Sequence, residues 1–153
     1  CVGWVDRVLK QEVAMMHSIE DQLILHEGLR LKPYRCTAGK LTIGVGRNLE
    51  DKGISHHEAL FLLRNDIAEV TAQLEQFDWF RALGPVRRKV LIDMCFNLGM
   101  AGLLGFQKMI EALKQGDYEA AADEMVYSRW YRQVGERGRR LEQMMRTGED
   151  YQV

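Results

Sequence analysis

Cysteine is scarce and odd in number: Cys1, Cys36 and Cys95 are the only three in 153 residues. That excludes a disulfide scaffold. No CxxC or Cys/His cluster is present, and the adjacent His56 and His57 point in different directions on a helix, so a structural zinc site is not expected. Proline is rarer still, with two residues, and 14 glycines are spread without period, which excludes collagen-like or low-complexity chains. Charge of one sign is lacking: 21 basic residues face 22 acidic ones, a net charge of -1. Nucleic-acid binding through the field of the whole molecule is therefore not expected. Long apolar runs are missing too. The longest, Met94 to Phe106, is broken by Asn97 and is too short to cross a bilayer. The first sixteen residues carry Asp6, Arg7, Lys10 and Glu12, which is not a signal-peptide pattern. The first residue is Cys, so the sequence reads as a processed, truncated or engineered chain.

What is present is enough apolar sequence, 46%, for one domain or one domain of two lobes. Residues 1–16 show a loose helical pattern through Val2, Val5, Val8, Leu9, Val13 and Met16, and read as an N-terminal extension. From residue 17 the signals sharpen. Ser18 and Asp21 make a capping box, Ile19, Leu23 and Ile24 give an apolar face, and Gly28 ends the helix. Thr37-Ala38-Gly39-Lys40 predicts a turn between two short strands at 32–36 and 41–45. Ser55 and Glu58 form a second capping box. Leu60, Leu63, Ile67, Val70, Leu74 and Phe77 follow at alternating spacings of three and four, predicting a long amphipathic helix over 55–77. Gly84-Pro85 opens a largely buried helix through Val90, Leu91, Met94 and Cys95 that ends near Gly99. Further helices are expected near 106–115, 117–127 and 136–146, with Trp130–Gly135 as a separator. The class is α+β, mostly helical. Pattern alone leaves open whether the long helix joins two lobes or lies inside one bundle.

Among carboxylates Glu27 is the candidate general acid. It sits in the last helical turn, where the negative end of the helix dipole disfavours ionisation, and Leu25 and Leu29 are expected to add desolvation. Both raise its pKa, as a proton donor near neutral pH requires. The alternative is an ordinary surface glutamate before a helix-stopping glycine.

The segment His26-Glu27-Gly28-Leu29-Arg30-Leu31-Lys32-Pro33-Tyr34, then Thr37-Ala38-Gly39, then Leu41-Thr42-Ile43-Gly44-Val45-Gly46, closely resembles the phage lysozyme (endolysin) family, glycoside hydrolase family 24. Phe96-Asn97-Leu98-Gly99, Ser128-Arg129-Trp130-Tyr131 and Arg146-Thr147-Gly148 extend the resemblance over about residues 17–150, in the family's order. The family motif is Glu, eight residues, Asp, five residues, Thr. Glu27 and Thr42 match it, and Cys36 stands in the place of the aspartate, as it does in some members.

The resemblance implies a lysozyme-like fold: a small hairpin lobe and a helical lobe joined by the long helix, with glycan in the cleft between them. It implies a muramidase that cuts the β-1,4 bond between N-acetylmuramic acid and N-acetylglucosamine, lysing the host for phage release. Glu27, Cys36 and Thr42 become the catalytic set. Arg137 resembles the arginine that pairs with the catalytic glutamate, and Asn97, otherwise a helix C-cap, can hydrogen-bond a sugar N-acetyl group. Arg47 stands where the family often has histidine. Six arginines against three glutamates between Glu124 and Arg146 predict a basic cleft margin for an anionic wall polymer, or a solvated helix face. Trp79, Trp130 and Tyr131 read as core aromatics rather than sugar platforms. The partner is peptidoglycan, with no metal or organic cofactor, no nucleic acid, no stable membrane insertion and a monomeric state. The compartment is the host cytoplasm before lysis and the wall after release. The rival readings are a non-hydrolytic peptidoglycan-binding module, and the lysozyme domain of a virion-tail or secreted antibacterial protein.

Overall fold

A computed structural model describes residues 18–152. The predicted extension, residues 1–16, lies outside the described residues. The chain divides into two compact units between Ala59 and Leu60.

The first unit holds helix α1 (Ile19–Glu27) and strands β1 (Arg30–Arg35), β2 (Leu41–Gly44) and β3 (Arg47–Asn48). The Ser18 capping box forms as read: its hydroxyl accepts from Asp21 N–H, and the Asp21 carboxylate accepts from Ser18 N–H. Gly28 ends α1 at φ 79, ψ 161, a conformation that costs a side-chain-bearing residue steric strain. The apolar face of α1 is not buried. Ile19, Leu23 and Ile24 are 62%, 44% and 40% exposed, and no residue of the helix is buried.

The sheet is antiparallel in the order β1-β2-β3, which puts β2 at its centre. The turn is where the sequence placed it. Cys36 N–H donates to Lys40 O (3.0 Å) and Gly39 N–H to Cys36 O (2.8 Å), closing the loop around Gly39 at φ +78. Strand β1 starts two residues earlier than read. A register irregularity between Arg30 and Tyr34 absorbs extra chain on that strand. The two-residue β3 is too short to leave an alternation in the sequence.

Helix α2 (His56–Leu74) crosses the division between the units. Its capping box is intact, with Ser55 N–H donating to Glu58 Oε1 (2.9 Å) and Glu58 N–H to Ser55 Oγ (3.1 Å). Its apolar stripe is covered only toward the C-terminal end. Leu74 is fully buried, whereas Leu63 and Ile67 are 41% and 38% exposed, and Phe77 falls beyond the helix.

The second unit is helical: α3 (Asp78–Arg81), α4 (Pro85–Leu104), α5 (Gln107–Lys114), α6 (Tyr118–Val126), α7 (Arg129–Val134) and α8 (Glu136–Thr147). Pro85 takes the first turn of α4 behind Gly84. At Gly99 the backbone leaves helical geometry (φ 76, ψ 166), so the predicted stop appears as a break inside a longer helical stretch. Helices α3 and α7 are absent from the sequence reading because four and six residues carry too little periodicity. The separator expected at Trp130–Gly135 is thus mostly helix, capped by Ser128, whose hydroxyl accepts from Tyr131 N–H.

The core of this unit is built on Leu74, Phe80, Leu91, Met94, Leu103, Met109, Met125 and Met145, all fully buried. Flexible thioethers fill the irregular space between short helices. Trp79 and Trp130 are buried in it, as read. No single helix among the described residues is long and apolar enough to cross a membrane.

Candidate active site

The first unit brings Glu27, Cys36 and Thr42 onto one small framework, each by a different element. Glu27 is the last residue of α1, where Gly28 turns the chain sharply into β1. Its carboxylate lies against the turn between β2 and β3. A Cβ built on Gly46 would sit 3.0 Å from Glu27 Oε2, and Gly46 has φ +66. Leu25 and Leu29, expected to desolvate the carboxylate, are 80% and 55% exposed and do not enclose it. Gly46 is therefore a site residue that the sequence reading missed, although it closes the Thr-Ile-Gly-Val-Gly run. Replacing it with alanine is expected to cost about 1–2 kcal/mol for the left-handed backbone, checked by thermal unfolding. The same change should lower wall hydrolysis by up to roughly 10²-fold, because the new methyl displaces the Glu27 carboxylate.

Thr42 sits on the central strand, opposite Tyr34 and Asn48, and is 3% exposed. Its hydroxyl donates to Lys40 O at 2.9 Å. Cys36 follows β1 at the start of the turn and is half-buried, with a free thiol. The backbone amides of Lys40 and Ala38 hydrogen-bond its sulfur and lower the thiol pKa, against a smaller opposing effect of desolvation. The Thr42 hydroxyl adds less, since its single proton goes to Lys40 O. The turn thus stabilises a thiolate where the family motif carries a carboxylate. Cys95 is the opposite case: burial in α4 raises its thiol pKa.

Arg47, at the start of β3, donates through Nη1 to Glu58 Oε1 (2.9 Å) and Gly53 O (3.1 Å). The acid it binds is thus the capping-box glutamate of α2, and the pair fastens the sheet to the start of that helix. Arg47, reinforced by Ser55, holds the Glu58 carboxyl at a pKa of about 2, below the ordinary 4.5. A carboxylate whose pKa is depressed by folding contributes stability above its unfolded value, and that contribution is lost as pH falls through the folded one. Acid titration followed by circular dichroism should show stability falling between pH 4.5 and 2. Glu58→Gln should be less stable at neutral pH and flatter across that window.

The second unit holds the other two candidates. Asn97 Oδ1 accepts from Trp130 Nε1 at 2.8 Å, so its amide is oriented by a buried indole. It lies two residues before the break at Gly99 and stays exposed. Arg137 binds Asp93, through Nε to Oδ1 (2.7 Å) and Nη2 to the backbone carbonyl (3.2 Å). Of the six arginines in the basic margin expected over 124–146, three are paired inside the unit, and Arg129, Arg132 and Arg140 have no ion pair among the described residues. Besides Arg137 with Asp93, Arg139 pairs with Glu136, and Arg146 is clasped by Glu119, Asp123 and Glu142. Asp93, Glu119 and Asp123 lie outside the segment, so a count within it misses them. Among the described residues no three His, Cys, Asp or Glu are placed to hold a metal ion.

Comparison with known proteins identifies the family. Residues 25–147 match the Phage lysozyme family model. An endolysin of Acyrthosiphon pisum secondary endosymbiont phage 1 is 36% identical over 121 residues, covering 72% of this chain and 79% of that protein. Probable T4-type lysozyme 1 of Dictyostelium discoideum is 26% identical, over 88% of this chain and 96% of its own length. The pre-baseplate central spike protein Gp5 of Enterobacteria phage T4 is 28% identical over 86% of this chain, which corresponds to 28% of the spike protein. With the family model spanning Glu27, Cys36, Thr42, Asn97 and Arg137, the chain belongs to the phage lysozyme family and is a lysozyme-type glycosidase.

Proposed function

We propose that the protein is a muramidase that hydrolyses the β-1,4 bond from N-acetylmuramic acid to N-acetylglucosamine in peptidoglycan, acting as an endolysin. Glu27 protonates the glycosidic oxygen as it leaves. A water molecule attacks the anomeric carbon from the other face, giving up one proton to Cys36, while the Thr42 hydroxyl oxygen accepts from the water's other O–H and orients it. Asn97 and Arg137 contact the glycan. The reading rests on one observation above the rest: the first unit sets a carboxyl group at a helix end and a half-buried free thiol on the adjoining hairpin, at the spacing of the family motif.

Mass spectrometry of muropeptides released from purified sacculi tests it. Reducing muramic acid ends are expected; anhydro ends would mean transglycosylation, and no release would leave a wall-binding module. The similarity to the phage T4 spike protein favours a second carrier for the same chemistry, a virion component that opens the wall at entry. Detection of the protein in purified virions would establish that role in place of lysis from within.

A further inference from the structure

The acidic and basic residues of this near-neutral chain are unevenly placed. Between Gly28 and Gly53 there are six basic residues, Arg30, Lys32, Arg35, Lys40, Arg47 and Lys52, and only two acids, Glu50 and Asp51. Both acids are already used. Glu50 pairs with Arg35 (3.0 Å) and Lys40 (3.6 Å), and Asp51 with Lys40 (3.3 Å). Arg47 is taken by Glu58. Besides Lys52, which lies after β3, Arg30 and Lys32 remain, both exposed and without an ion pair among the described residues. They sit on β1, the edge strand of the sheet. The Arg30 guanidinium lies over the Tyr34 ring at 4.4 Å, which holds it along the strand with its charge unspent. Pro33 and the charges disfavour addition of another strand at this edge, so the side chains, rather than backbone pairing, are what β1 offers a partner. The arginines of α8 offer no such surplus, because most are clasped by carboxylates of their own unit.

We infer that β1 is a wall-docking strand, on which Arg30 and Lys32 take the free carboxylates of peptidoglycan stem peptides and so deliver the glycan to the hairpin that carries Cys36 and Thr42. This rests on the muramidase reading for its substrate. The strand ends at Arg35, the residue before Cys36, and a local balance of +3 once Glu58 on Arg47 is counted, in a molecule of net charge -1, concentrates attraction for an anionic polymer at that place.

The test is retention on purified sacculi, free of teichoic acid and lipid, in the Glu27→Gln background so that the wall stays intact. Arg30→Gln/Lys32→Gln is expected to weaken retention about tenfold, the worth of two solvent-exposed ion pairs, and to flatten its salt dependence. Amidating the sacculus carboxylates should bring the parent down to the level of the double variant. Circular dichroism controls for folding, since neither side chain is buried. Equal retention of parent and variant, or a difference that persists on amidated sacculi, overturns the inference. So does a difference seen only on phosphatidylglycerol vesicles, which would assign the strand to a membrane surface. Hydrolysis is read separately, as reducing ends released by the wild-type protein, so a failure there is distinguishable from a failure of docking.

Discussion

Glu27→Gln is expected to fold as the wild type does and to lose wall hydrolysis by roughly 10²–10⁴-fold, the worth of a positioned general acid. The substitution keeps the shape of the side chain at the end of α1 and its contact with the Gly46 turn. What it removes is the proton that the leaving sugar oxygen must receive. Turbidity of outer-membrane-permeabilised cells measures the loss, and thermal unfolding shows whether the fold survives. Near-normal lysis by a folded Glu27→Gln protein would remove this residue from the mechanism. The pairing with Gly46→Ala sharpens the test. There the carboxyl group is still present but displaced, so activity should lie between the wild type and Glu27→Gln.

The second large effect is expected at Cys36. Cys36→Ala should lose most of the activity and Cys36→Ser nearly as much, because a hydroxyl is far too weak an acid to supply an anion there. Cys36→Asp, which restores the family's usual residue, should retain it. The structure adds a pH signature. The Lys40 and Ala38 amides lower the thiol pKa from its ordinary 9.0, so more thiolate is present near neutrality than for a free cysteine. Alkylation of Cys36 in the folded protein should therefore turn on at lower pH than in the unfolded protein, and inactivation should follow the same curve. Cys95 should react slowly at every pH, since burial disfavours its thiolate. A substitution of Cys1 removes the remaining thiol from the measurement. Wild-type lysis by Cys36→Ala, together with full activity after alkylation, would leave the chemistry to Glu27 and Thr42 alone. The thiolate also admits attack on the sugar itself. A trapped glycosyl-thioether on Cys36, found by mass spectrometry with a slow substrate, would replace the water mechanism by a covalent one.

How far these residues were legible in the sequence depends on the range of the interactions that define them. Both capping boxes, the stop at Gly28, the turn around Gly39 and the break at Gly99 are local devices, set by a few consecutive residues, and each appears where the pattern put it. The buried positions of α4 follow from the same kind of short-range regularity. Glu27 was reached from its place in the last turn of its helix, and Cys36 and Thr42 through the resemblance to the family motif, which also is written in order along the chain.

The contacts that give those residues their chemistry are different, because they join positions far apart in sequence or depend on three-dimensional crowding. Nothing in the order of residues says that Gly46 lies against the Glu27 carboxylate, or that two amides of one turn converge on a sulfur. The partners of Arg47 and Arg137, eleven and forty-four residues away, were open for the same reason. A sum over residues 124–146 gave a basic segment, and only packing brought Asp93 alongside Arg137, and Glu119 and Asp123 alongside Arg146. Sequence by itself determined the longer elements, the caps and turns set by a few consecutive residues, and the motif that carries the family resemblance, since these rest on backbone preference and local pattern, whereas β3, α3 and α7 were too short to show in it. Tertiary structure alone decided which charges are spent and which remain available, because an ion pair is fixed by distance in space and not by separation along the chain.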